Sequence, residues 1–134
     1  MKSFFFITAL LICLLSALTA PAQERKDENH KFNIEEINRF HELLHPVWHE
    51  QYPKKEWTRI RSQAGEFVSR KDAIMKVRLR TKADNRAAVE ERRQAFGAAV
   101  DAFARAAKSG SDDELSRALA EMHDRFEQFT ESLK

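Results

Sequence analysis

Apolar residues recur every three or four positions in four separate runs along this chain, and that periodicity leaves one fold class open. The runs are Ile37, Phe40, Leu44, Val47 and Trp48; then Trp57, Ile60, Ala64, Phe67, Val68, Ile74 and Met75; then Val89, Phe96, Val100 and Phe103; then Leu115, Leu119, Met122, Phe126, Phe129 and Leu133. Such spacing puts each set on one face of an α-helix, and no stretch shows the strict alternation that a half-buried strand needs. Gly and Pro number three each in 134 residues, too few for the turns of a sandwich or barrel. Four amphipathic helices with short links predict an all-α, antiparallel up-down-up-down four-helix bundle.

Starts and stops follow from local chemistry. Asn33 is placed to cap the first helix, with Glu36 bonding back to it, and Phe32 and Ile37 are spaced as a hydrophobic staple. Pro53 ends that helix. Pro46 lies inside it, lacks the N–H that would reach the Glu42 carbonyl, and should bend it. The second helix is expected over 55–77, followed by a basic connection at 76–82, and the third over 84–108. Ser109-Gly110-Ser111 then breaks the chain. Ser111 or Asp112 is placed to cap the fourth helix, whose early acidic residues suit its positive N-terminal dipole. The side chains expected to be buried are Phe40, Leu44, Trp48, Phe67, Phe96, Phe103, Phe126 and Phe129.

The first 22 residues read differently. Met1-Lys2 is followed by an apolar run from Phe4 to Leu18 and by Ala20-Pro21-Ala22, the pattern of a secretory signal peptide cut after Ala22. The run falls short of the roughly 20 residues a spanning helix needs, so no stable membrane insertion is expected after cleavage. The domain organisation is then 1–22 signal peptide, 23–31 flexible leader and 32–134 helical bundle, in an exported protein that is periplasmic or secreted. The one cysteine, Cys13, lies within the signal. This leaves no disulfide framework and no thiolate chemistry for the bundle. Basic residues number 23 and acidic 21, mixed along the chain; nucleic acid, which calls for a concentrated basic face, is not an expected partner.

Phe96, Phe103, Ala106-Ala107, the Ser109-Gly110 turn, Ala118, His123 and Phe126 follow one another in a pattern that resembles the periplasmic four-helix-bundle cytochromes, the c′ and soluble b types. The haem-attaching C-x-x-C-H motif is absent, so the resemblance implies no covalent haem. Haem b in this family sits between a first-helix Met and a last-helix His. The first helix here has no Met, and His123 would pair with His41 or His45.

Three of the five histidines stand at 41, 45 and 49. With Ile37 at 0° they lie at about 40°, 80° and 120°, so His41 points nearly inward, His45 flanks the core and His49 sits at the edge. With Leu115 at 0°, His123 and Glu127 lie at about 80° and 120° on the last helix. In an antiparallel pairing of the first and last helices, His45 falls level with His123 and His41 with Glu127. For one handedness of the bundle these flanks face each other. His41, His45, His123 and Glu127 then converge as three imidazoles and a carboxylate, a set that suits zinc and, through imidazole, copper or nickel. For the other handedness they are flank residues that cover the core edge. His49 lies off the shared level, and His30 belongs to the leader.

Catalytic patterns are sparse. The chain has no Gly-rich phosphate loop and no nucleophile elbow; His41-Glu42-Leu43-Leu44-His45 does spell H-E-x-x-H, but Glu42, at about 140° from Ile37, points away from the core. Glu42 and His45 have the Glu-x-x-His spacing of di-iron carboxylate bundles, but no such pair precedes His123. The expected function is therefore non-enzymatic: an exported metal-binding protein acting as buffer, carrier or sensor through His41, His45, His123 and Glu127. The alternatives are a metal-free envelope interaction or stress-chaperone protein and a haem-b electron carrier.

Overall fold

The computed structural model describes residues 32–134; the expected signal peptide and leader lie outside the described residues. Their regular structure is all helical, with no strand among the described residues. The elements are α1 (Glu35–Pro46), which runs into a π-helical turn (Val47–Gln51), α2 (Trp57–Ser62), α3 (Ala64–Lys76), α4 (Arg86–Ser109) and α5 (Asp112–Glu131). No helix among them is long and apolar enough to cross a membrane.

The start of α1 differs from expectation. Ile34, not Asn33, occupies the N-cap and offers no side-chain bond. Asn38 ties down the incoming chain instead, accepting from the Phe32 N–H at 2.7 Å and donating to the Phe32 carbonyl at 2.8 Å. One side chain thus satisfies both backbone groups of the residue that enters the helix.

Pro46 does more than bend. It is the last α-helical residue, and beyond it the winding loosens: the Tyr52 N–H reaches the Val47 carbonyl, five residues back, at 2.9 Å. With no N–H at 46 the α ladder is already interrupted, and a π-turn takes up the following residues. The turn brings Gln51 inside, 4 % exposed, where its Oε1 accepts from Gln63 Nε2 at 2.6 Å. Gln63 also donates to the Arg59 carbonyl. It interrupts the expected second helix, which is two pieces, α2 and α3, with Gln63 as the joint.

Arg61, near the end of α2, donates to the carbonyls of Ala106 and Ala107 at 3.0 Å each and to Asp112 at 2.8 Å. It satisfies carbonyls in the last turn of α4 and ties α2 to the α4–α5 connection. Gly110 makes that connection, since a Cβ there would stand 2.9 Å from the Ala106 carbonyl oxygen. Ser111 then caps α5 in a full capping box with Glu114. The backbone and side-chain hydrogen bonds of Ser111 hold the Glu114 carboxyl below its ordinary value.

Consecutive helices run antiparallel, as their contacts show. Phe40 packs on Phe67, and Gln51 bonds to Gln63, across α1 and the second helix. Phe67 meets Phe103, and Lys71 pairs with Asp101, between α3 and α4. Between α4 and α5 the two-residue link Gly110-Ser111 turns the chain back, and Phe96 stacks on Phe129 well away from that turn. Between α1 and α5 the partners also run in opposite order: Phe40 with Phe126, Trp48 with His123, Tyr52 with Ser116. Large rings bridge this last seam, which lacks the close backbone approach of α4 with α5.

The core is aromatic. Phe40 sits at its centre, edge-on to Phe67 at 5.4 Å and Phe96 at 4.9 Å and stacked on Phe126 at 5.1 Å. Of the side chains expected inside, Phe40, Leu44, Phe67, Phe96, Phe103, Phe126 and Phe129 are buried. Trp48 is the exception, only partly buried against the core edge. One cation is buried as well. Lys71 is 8 % exposed, with Nζ 2.8 Å from both Asp72 and Asp101. Burial presses its ammonium toward the neutral form, but the hydrogen bonds and charges of Asp101 and Asp72 outweigh this and raise its pKa.

Ser111→Ala is expected to cost about 1 kcal/mol, the usual value of an N-cap side chain, measured as a lower urea midpoint at neutral pH. Because the Glu114 pKa is depressed on folding, its contribution is present above 4.5, its ordinary value, and is lost as pH falls through the folded value. The Ser111→Ala penalty should therefore shrink in acid. A penalty that grows as pH falls would contradict the capping box.

Candidate metal centre

The wide seam between α1 and α5 opens into a cavity of about 640 Å³. The π-turn and α1 supply His41, His45, Trp48 and His49 to its wall, and α5 supplies His123, Phe126 and Glu127. All four residues expected to form a site, His41, His45, His123 and Glu127, line this one cavity. The two histidine-bearing flanks therefore face one another across the seam.

His123 has the most constrained setting. Its side chain is 17 % exposed, with Nε2 3.7 Å from Glu127 Oε1 and Nδ1 3.6 Å from Asp124 Oδ1. The second distance is beyond hydrogen-bond reach, and Nδ1 is buried with no hydrogen-bond partner. Trp48 lies flat on the ring, centroids 4.0 Å apart and planes 14° from parallel. Trp48 is in turn stacked on Tyr52 at 4.8 Å, whose hydroxyl shares a hydrogen bond with Ser116 at 3.0 Å. The stacked rings of Trp48 and Tyr52 thus clamp His123 from the α1 side, and its nitrogen-bearing edge faces the carboxylates.

Ligand atoms of His123, Asp124 and Glu127 all lie within 4.8 Å of one another. His41 and His45 share the cavity but stand outside this group. His41 is held among rings, edge-on to Phe32 at 5.9 Å and parallel to Phe126 at 6.2 Å. His45 lies 5.7 Å from His41 and 4.6 Å from His49, centroid to centroid.

Three features escape helical periodicity. His49, set aside as off the level, lines the same cavity. Asp124, about 100° around the helix from His123, still stands with its carboxylate 3.6 Å from that ring; sequence adjacency was the only available signal. Trp48, expected in the core, is the ring that covers His123. The donors are imidazole and carboxylate, with no thiol or thioether on the wall, a set that suits borderline divalent metals and not soft monovalent ones. Compared with protein-family models, curated proteins and solved structures, the chain matches none.

Proposed function

We propose that the chain is an exported four-helix-bundle protein, periplasmic or secreted, that binds one divalent transition metal in the α1–α5 cavity and serves as buffer, carrier or sensor, not as an enzyme. One observation carries this reading. Four imidazoles and Glu127 line a single cavity, and among them His123 keeps a buried Nδ1 without a hydrogen-bond partner. An orphaned buried nitrogen costs about 1–3 kcal/mol, which favours a bound state that uses it.

The chemistry assigns roles. His123 Nε2 and Glu127 are the ligands from α5, and His41 and His45 approach from α1 to complete a four-donor set. With the ion on Nε2, Nδ1 becomes a donor, and Asp124 is the acceptor beside it. Such a carboxylate fixes the tautomer and orients the ring, and losing one typically costs roughly 10–100-fold in affinity. The Trp48–Tyr52 stack holds the ring in place before the ion arrives. Zinc, copper and nickel are the candidates.

Calorimetric titration of the purified chain with Zn²⁺, Cu²⁺ and Ni²⁺ tests the reading, together with elemental analysis of protein recovered from its native compartment. One ion per chain is expected, with affinity lowered by Asp124→Ala and lowered further by Glu127→Ala. Absence of saturable binding for all three ions would leave the histidines as packing residues of the core edge.

A further inference from the structure

The chain places two histidine pairs at the same four-residue spacing, yet their rings stand at different separations. His41 and His45 both lie in regular α-helix, and their centroids are 5.7 Å apart. His45 and His49 straddle the junction with the π-turn, and theirs are 4.6 Å apart. The winding supplies the reason. In an α-helix four residues advance the side chain about 40° beyond a full turn. A π-turn closes its hydrogen bonds five residues back, so each residue rotates by less. His49 is thereby brought back over His45 and not carried around the helix. The same turn follows directly on Pro46, the residue that interrupts the α ladder.

We propose that His45 and His49 form a two-imidazole chelate at the mouth of the cavity, set by the π-turn, which captures a divalent ion with imidazole preference before the inner set takes it. This rests on the metal-binding reading above. His45 belongs to both sets, so the pair and the inner set are alternative seats for one ion and do not fill together. His49 is exposed and His45 is partly buried; this order, from solvent inward to His123, is the order in which an arriving ion meets them. Imidazole pairs without sulfur follow the general affinity order, with Cu²⁺ held more tightly than Ni²⁺ or Zn²⁺. Cu²⁺ is therefore the probe of choice.

The test uses Cu²⁺ titration by calorimetry, with electron paramagnetic resonance to count coordinated nitrogens, on five forms of the chain. Circular dichroism confirms that each is folded. The wild type should bind one Cu²⁺. His123→Ala should still bind one, more weakly, with a two-nitrogen signature. Adding His49→Ala to His123→Ala should weaken that residual binding further. An outer-shell partner alone is worth roughly 10–100-fold, so loss of a direct ligand should cost at least tenfold. Deleting the exposed π-turn residue Glu50 in the His123→Ala background should do the same with both imidazoles still present, because α-winding moves them apart. His49→Ala alone should leave the wild-type affinity nearly unchanged, since the inner set remains. If His123→Ala binds no Cu²⁺, or binds it equally with and without His49, the capture pair is wrong while the inner site stands. If His123→Ala binds as tightly as wild type and His49→Ala abolishes binding, the pair stands and the inner site is wrong. If the deletion variant is folded and retains full residual binding, the π-turn does not set the pair.

Discussion

Phe40→Ala is expected to destabilise the fold by about 3–5 kcal/mol, the usual range for removing a fully buried aromatic side chain. Phe40 has no exposed surface and touches the rings of Phe67, Phe96 and Phe126, so it joins α1 to each of the long helices α3, α4 and α5 at one point. The cavity left behind is walled by rings on three sides, and rings held by other contacts relax little into it. For a domain whose whole stability lies in the usual range of about 5–15 kcal/mol, this is a large share. Urea denaturation followed by circular dichroism measures the loss. Trp48→Ala is the control: its ring is only partly buried, so its cost should be clearly smaller. A Phe40→Ala change below about 1 kcal/mol would mean that the aromatic contacts do not organise the core.

Zn²⁺ at a free concentration one hundred times its dissociation constant is expected to raise the unfolding free energy by about 2.7 kcal/mol. The cause is linkage: donors on two helices are brought together only when the chain is folded, so the ion binds the native state and not the unfolded one. His123→Ala and His45→Ala should each abolish most of this gain, because each removes a donor from one side of the seam. Glu127→Gln should reduce it while preserving side-chain volume. Thermal unfolding with and without Zn²⁺, each repeated in excess chelator, reads the effect. A gain of equal size in wild type and His123→Ala would place the ion elsewhere. The stacked geometry adds an optical readout, since Trp48 lies 4.0 Å from the His123 ring and its fluorescence should change as that ring takes up an ion.

Much of this architecture is legible in the residues. Helical class, the main turns and the buried face of each helix follow from spacing alone, because 100° per residue assigns every side chain a direction. The capping of α5 was readable too, since Ser111 and Glu114 have the spacing of a capping box. The same logic failed at α1, where Asn33 has the right chemistry but Asn38 holds the chain entry. A cap motif states which bonds are available, and the path of the preceding chain decides which are made. Gln63 gave no warning either. It stands at the joint of α2 and α3 and donates to Gln51, which the π-turn brings inside.

For the site, periodicity places His41, His45, His123 and Glu127 on flanks, and antiparallel order places them at matching levels. Whether the flanks face each other depends on how the helices are arranged around the core, and no residue encodes that by itself. It emerges from the packing of Phe40, Phe96 and Phe126 into one centre. The width of the seam is likewise a tertiary quantity: α1 and α5 are held apart by whole rings, and that gap is the cavity. The Trp48 stack on His123 and the approach of His49 to His45 both depend on local unwinding after Pro46. The sequence by itself determined the helices, their faces and the supply of donor groups, because these rest on local rotation and local chemistry. Only the tertiary structure decided which donors share a space, because that depends on how side-chain volumes settle the distances and winding of helices far apart in the chain.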